Sequence, residues 1–157
     1  MKVILLSVGK TDHPLLSQII EDYRKRVNYY IPFDMRTVPD PKNRKNLSEK
    51  EQKTEEAILL LKSLQPSDHV VLLDDKGKQY RSTEFARYME KKSHTVSRQL
   101  VFVVGGPYGF ATEMYDRAAE TISLSKMTFT HQMIRLIFTE QLYRAMTITH
   151  NEPYHHE

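Results

Sequence analysis

The sequence predicts an α/β fold built on a mainly parallel sheet flanked by helices on both faces. Three apolar runs, residues 3–8, 69–73 and 99–104, read as strands buried on both sides. Amphipathic helical stretches alternate with them over short connections, the pattern expected of βαβ units. No repeat, low-complexity tract or second domain interrupts the 157 residues, so a single domain over 1–157 is expected.

Taken in order, residues 3–8 form the first strand, which Gly9 ends. Asp12 stands where it can cap the following helix, with Pro14 in the first turn. Leu15, Leu16, Ile19, Ile20, Tyr23 and Val27 make that helix's apolar stripe, and Arg24, Lys25 and Arg26 its solvated side. Residues 33–38 fit a second, more exposed strand. The loop after it is broken by Pro39 and Pro41 and carries Lys42, Arg44 and Lys45. Ser48 and Glu51 form a capping box for a helix whose stripe reads Ala57, Ile58, Leu61 and Leu64, and which Pro66 stops.

The third strand, residues 69–73, is expected to turn at 74–78. A shorter helix starts near Ser82 and uses Phe85, Ala86 and Met89. The fourth strand leads into Gly105-Gly106-Pro107-Tyr108-Gly109, and one more helix is expected near residues 112–120. A short strand pattern around Ile122, a loop at 125–132 and a long helix follow. In that last helix Ile134, Ile137, Phe138, Leu142, Ala145 and Met146 share one face. Met133, Leu136 and Tyr143 widen the apolar surface, so this helix lies in the middle of the fold or faces another subunit. The tail from Asn151 onward reads as extended coil.

Composition narrows the class. An apolar fraction of 39% and a charged fraction of 27% describe a soluble globular protein. No apolar run approaches the ~18–20 residues of a membrane span, and the N-terminus lacks a signal-peptide pattern. The absence of cysteine excludes disulfides and thiol chemistry, so a cytoplasmic location is expected. A net charge of +3 is compatible with a nucleic-acid partner without indicating one.

Few residues carry a chemical signature by themselves. The glycine turn at 105–109 matches neither GxGxxG nor GxxxxGK[ST], and Pro107 removes one amide donor. It reads either as a tight strand-to-helix turn or as a ligand loop that lets backbone approach a phosphate-free nucleoside. The seven histidines fall into no metal-binding spacing, so no metal is expected. His131 opens the last helix, in a capping or a functional role. Asp74 and Asp75 read as turn formers, Glu140 and Arg144 as an i,i+4 pair, and no GxSxG elbow supports a Ser/His/Asp triad. Residues 125–132 nonetheless gather hydroxyls, Lys126 and His131 at a strand end, where open α/β sheets bind ligands.

Four blocks then carry a family resemblance: KVILLSVGK at 2–10, LDDKGK at 73–78, FVVGGPYG at 102–109 and LSKMTFTHQMIR at 124–135. EQLYRA and NEPYH complete it near the C-terminus. In this combination and order the chain resembles the SPOUT methyltransferases, specifically the small members acting on large-subunit ribosomal RNA. The resemblance implies a deep trefoil knot in the C-terminal segment, an exception to ordinary topology, and an obligate homodimer. It implies S-adenosylmethionine as methyl donor and N3-methylated pseudouridine in 23S ribosomal RNA as product. By position in the blocks, Leu73, Gly105, Leu124, Ser125, Lys126, Met127, Thr128 and Phe129 would contact the donor. His131, Arg135, Tyr154 and His155 are the catalytic candidates. His131, Tyr154 or His155 would orient the base or accept its proton, and Arg135 and Arg144 would hold phosphate or base edges. Other functions with the same sequence features are a methyltransferase acting on transfer RNA and a non-catalytic RNA- or ribosome-binding module.

Overall fold

The structure, a computed structural model, describes residues 1–156. Five strands form one sheet: β1 (Lys2–Val8), β2 (Phe33–Val38), β3 (His69–Gln79), β4 (Gln99–Val104) and β5 (Glu120–Ser123). Their order is β2-β1-β4-β3-β5 and every pairing is parallel. The helices are α1 (Pro14–Asn28), α2 (Glu49–Lys62), α3 (Ser82–Thr95), α4 (Thr112–Arg117) and α5 (Met133–Thr149).

The period-2 alternation of the strands divides the core into two layers. Val3, Leu5, Val71, Leu100, Phe102 and Ile122 pack toward α1, α3 and α5. Ile4, Leu6, Val70, Leu72, Val101 and Val103 pack toward α2 and α4. Helices therefore cover both faces, as the uninterrupted apolar strands require. On the first face Phe102 and Phe138 meet with ring centroids 4.6 Å apart, locking α5 onto β4.

Several local expectations are corrected. Asp12 does not cap α1: His13 occupies that position without a side-chain cap bond, while the Asp12 N–H donates to Gln132 Oε1 at 3.2 Å. Of the α1 stripe only Ile20 and Val27 are buried, and Leu15 and Ile19 stay exposed. The capping box of Ser48 and Glu51 forms as expected. The inward face of α2, however, is rotated: Gln52, Glu56, Ala57 and Leu60 are buried and Ile58 is exposed. The helix ends at Lys62, four residues before Pro66. α4 stops at Arg117, and β5 takes up the chain at Glu120.

The largest difference lies after Leu73. Instead of turning away, the chain bulges and stays on β5, so that both Leu73 and Lys78 pair with Ile122. Gly77 makes this possible, because a Cβ there would sit 2.6 Å from the Ile122 carbonyl carbon. The tail is also not extended coil. Tyr154 folds back onto Tyr143, ring centroids 4.7 Å apart, and its hydroxyl donates to Glu140 Oε1 at 3.0 Å.

Candidate active site

The C-terminal ends of β4, β3 and β5 lie side by side, and a cleft of about 690 Å³ opens there. Its position follows from the parallel topology, in which every strand delivers its connecting loop to the same edge. One wall is Leu73 at the bulge of β3, another is Val104 with the glycine turn, and the third is the loop from Leu124 to His131. Phe110 and Ile134 add apolar surface. The volume suits a nucleoside-sized ligand, for which pockets of ~300–1,000 Å³ are usual.

Short-range hydrogen bonds shape the third wall. Ser123 Oγ donates to the Ser125 carbonyl at 2.8 Å, and Ser125 Oγ accepts from the Met127 N–H at 2.9 Å. Thr130 Oγ1 accepts from the Met133 N–H at 3.1 Å, satisfying a free donor at the start of α5. Gln132 then ties this loop to the end of β1, donating to the Lys10 carbonyl at 2.9 Å while accepting from Asp12. The hydroxyl-rich composition at 125–130 thus serves the loop's own backbone as much as any ligand.

Six of the eight residues expected at the donor line the cleft: Leu73, Gly105, Leu124, Ser125, Thr128 and Phe129. Lys126 and Met127 do not; both are exposed, Met127 by 77%. They occupy the outer side of the turn that the Ser125 hydroxyl closes.

Among the catalytic candidates, only His131 lines the cleft. Burial lowers its pKa, with the neighbouring Arg135 guanidinium acting in the same direction, so the imidazole is neutral at physiological pH. Arg135 points away from the cleft and is 1% exposed. Its Nε donates to the His131 carbonyl at 3.0 Å, Nη1 to Thr11 Oγ1 at 3.2 Å and Nη2 to the Val8 carbonyl at 2.8 Å. Such a side chain holds β1 and the start of α5 together and is not presented to an RNA backbone in this subunit.

Tyr154 and His155 lie elsewhere. They cluster about the middle of α5, on Glu140 and Arg144, nine residues and roughly 14 Å along the helix from His131. Arg144 forks Glu140 at 2.6 and 3.1 Å, lies over the Tyr154 ring and approaches His155 Nδ1 at 3.3 Å. Burial, then hydrogen bonds to Tyr23 and Glu140, raise the Tyr154 pKa, so this phenol stays protonated. The tail and His131 are not brought together within one subunit.

Two features were missed in the sequence. Asp74 is more than a turn former. Although it accepts from the Lys76 N–H at 2.9 Å, it also accepts the Tyr115 hydroxyl at the cleft wall. Burial pushes the Asp74 pKa up, but the Tyr115 and Lys76 hydrogen bonds outweigh it and keep the carboxylate ionised. Glu56, read only as part of a helix, is buried behind the glycine turn. Neither carried a signal in one sequence, because both depend on residues 30 or more positions away. Among the described residues no group of three or more His, Cys, Asp or Glu is arranged to hold a metal ion. Nor is any helix there long and apolar enough to cross a membrane.

Comparison with known proteins places this cleft in context. The family model described as Predicted SPOUT methyltransferase matches residues 1–155. A Parabacteroides distasonis protein named Ribosomal RNA large subunit methyltransferase H is 60% identical over 157 residues, covering 100% of both chains. A Phocaeicola vulgatus protein of the same name is 59% identical, again over 100% of both. Among solved structures, a probable methyltransferase from Bordetella pertussis Tohama I superposes with a TM-score of 0.53 at 11% identity. That match covers 92% of this chain and 94% of the other, and it bears on the fold alone.

Proposed function

The chain belongs to the SPOUT methyltransferases, and from that we propose that it moves a methyl group from S-adenosylmethionine to N3 of a pseudouridine in large-subunit (23S) ribosomal RNA, as a cytoplasmic homodimer. The observation that carries the reading is the cleft where β4, β3 and β5 end, walled by blocks 73–78, 102–109 and 124–135 of the sequence. The names of these relatives, ribosomal RNA large subunit methyltransferase H, support the ribosomal substrate.

The residues present fit the donor. Leu73, Val104, Phe110, Leu124 and Ile134 offer an apolar slot for a purine. The glycine turn and residues 124–129 supply backbone groups for its edge, and Ser125 and Thr128 supply hydroxyls. When bound, the donor brings a methyl carbon already activated by a sulfonium. The protein's work is therefore alignment and exclusion of water. Gln132 and Arg135 pin the start of α5 to β1 and so fix His131 at the cleft. Neutral His131 can accept the N3 proton of the target base. Arg135 thus acts through His131 as a positioning residue.

Two observations support the dimer. Leu15 and Ile19 on α1 and Met133 on α5 remain exposed although α1 and α5 pack together. Tyr154 and His155 also lie far from their own cleft, so a part for them in the reaction requires the cleft of a second copy. There the protonated Tyr154 hydroxyl would orient the base rather than accept a proton.

The test is to incubate radiolabelled adenosylmethionine with ribosomes, isolated large subunits and transfer RNA, and to map the methylated nucleotide. Label at a pseudouridine N3 of the large-subunit RNA is expected. Label in transfer RNA alone, or none with any substrate, would defeat the proposal.

A further inference from the structure

One aromatic ring at the cleft has no use within the chain itself. Every other tyrosine sets its ring against a second aromatic ring. Among the described residues Tyr108 meets no such ring, and its hydroxyl has no hydrogen-bond partner. It lines the cleft and is 46% exposed. Tyr115 lines the same cleft, but its ring lies edge-on to Phe110 and its hydroxyl is given to Asp74. Phe129 is exposed there too, within the segment that the donor would take.

The backbone beneath Tyr108 is rigid. The Gly109 N–H donates to the Gly106 carbonyl at 3.2 Å, and these two residues form an antiparallel bridge. Gly106-Pro107-Tyr108-Gly109 is thus a closed β-turn, with Pro107 in second position, where its fixed φ suits the turn. Tyr108 follows at the third. The tip stands clear of the rest of the protein: a Cβ on Gly109 would meet no atom within 4 Å. A ring carried on such a turn is held out without being covered, and ordering it on binding costs little.

Methylation at N3 makes a demand that this ring meets. N3 lies on the pairing edge of the base, so the target must leave its helix and loses its stacking neighbours. A new aromatic face returns part of that energy and leaves the pairing edge open to the methyl group. The apolar slot of Leu73, Val104, Phe110, Leu124 and Ile134 suits the adenine of the donor. Tyr108 lies outside that slot and faces solvent, the side from which a polynucleotide arrives.

We propose that Tyr108 is the stacking platform on which the unpaired target base of the RNA lies during methyl transfer. The inference deepens the reading of this cleft as an RNA methyltransferase site and rests on it.

The test compares the full-length wild type, Tyr108→Ala and Tyr108→Phe. Labelled methyl transfer to ribosomes that lack the modification gives KM for the RNA, and calorimetric titration gives the affinity for S-adenosylhomocysteine. Tyr108→Ala should raise KM roughly tenfold, within the loss usual when a stacked ring is truncated, and leave nucleoside affinity unchanged. Tyr108→Phe, which keeps the ring, should stay near wild type. The salt dependence of KM should be the same in all three, because stacking releases no counterions. The chain has no tryptophan, so Tyr108→Trp supplies a single fluorophore at this position. Its emission should be quenched by ribosomes and not by S-adenosylhomocysteine.

An unchanged KM in Tyr108→Ala overturns the proposal. Weaker nucleoside binding in that variant, or quenching of Tyr108→Trp by the nucleoside alone, overturns it by placing the adenine on the ring. A Tyr108→Phe protein as impaired as Tyr108→Ala overturns it by assigning the role to the hydroxyl. A wild type that methylates no RNA would remove the functional reading itself, and this inference with it.

Discussion

Arg135 Nη2 donates to the Val8 carbonyl oxygen across 2.8 Å, in a site where the arginine is 1% exposed. One side chain thereby joins the end of the first strand to the start of the last helix, 127 residues apart. Removing it leaves the Val8 and His131 carbonyls without their donor and a void in the core. Arg135→Ala is expected to lose about 2–4 kcal/mol of stability, measured by urea unfolding. Donor affinity should fall with it, because the His131 wall loosens. Unchanged stability, with loss confined to RNA binding, would return Arg135 to the RNA surface.

His131 makes stability depend on pH in a stated direction. Its folded pKa lies below the ordinary 6.5, chiefly through burial, so the folded state binds fewer protons than the unfolded chain. Its contribution is complete above about 6.5 and declines as pH falls through the lower, folded value. Unfolding midpoints measured between pH 7.5 and 5 should therefore drop less in His131→Gln than in wild type. An equal drop in both proteins would show that the imbalance lies in other groups.

Gly77 sets the bulge that keeps β3 on β5. A methyl group there would collide with the Ile122 backbone at 2.6 Å, and backbone cannot swing aside as a flexible side chain can. Gly77→Ala is expected to cost about 1–3 kcal/mol and to weaken nucleoside binding, since Leu73 and Leu124 flank the displaced pairing. Thermal unfolding with and without S-adenosylhomocysteine measures both effects. A variant as stable as wild type would mean that the bulge relaxes freely.

The dimer is best probed at Ile137. Leu142 is 0% exposed within one subunit, so Leu142→Arg buries an unpaired charge and is expected to unfold the protein. Ile137 is only half-buried on the same helix. Ile137→Arg should leave the fold intact by circular dichroism while light scattering reports monomers. A folded, fully dimeric Ile137→Arg protein would place the interface away from this part of α5.

Much of the architecture was legible because strand burial follows from local pattern. Residues such as Val3, Val71 and Phe102 sit in unbroken apolar runs, and those runs became the interior strands β1, β3 and β4. The capping box at Ser48 was equally local, needing only the Glu51 side chain three residues on. Faces of helices were read less well. On α2 the apolar Ile58 stays exposed while the polar Gln52 and Glu56 turn inward. Glu56 turns inward against Gly106, which lies 50 residues downstream, and Gln52 follows by donating to Glu56. Arg135 misled for a related reason: an arginine opening a helix looks like a surface charge until two distant acceptors, Val8 and Thr11, are seen around it.

The sequence by itself determined the strand and helix order, the parallel sheet and the methyltransferase family. These depend on periodicity and on contiguous blocks, which a linear chain displays directly. Only the tertiary structure decided what Arg135, Glu56, Asp74 and Tyr154 do. A charged or polar side chain takes its role from the partners and the degree of burial around it, and those are supplied by segments far away in the chain.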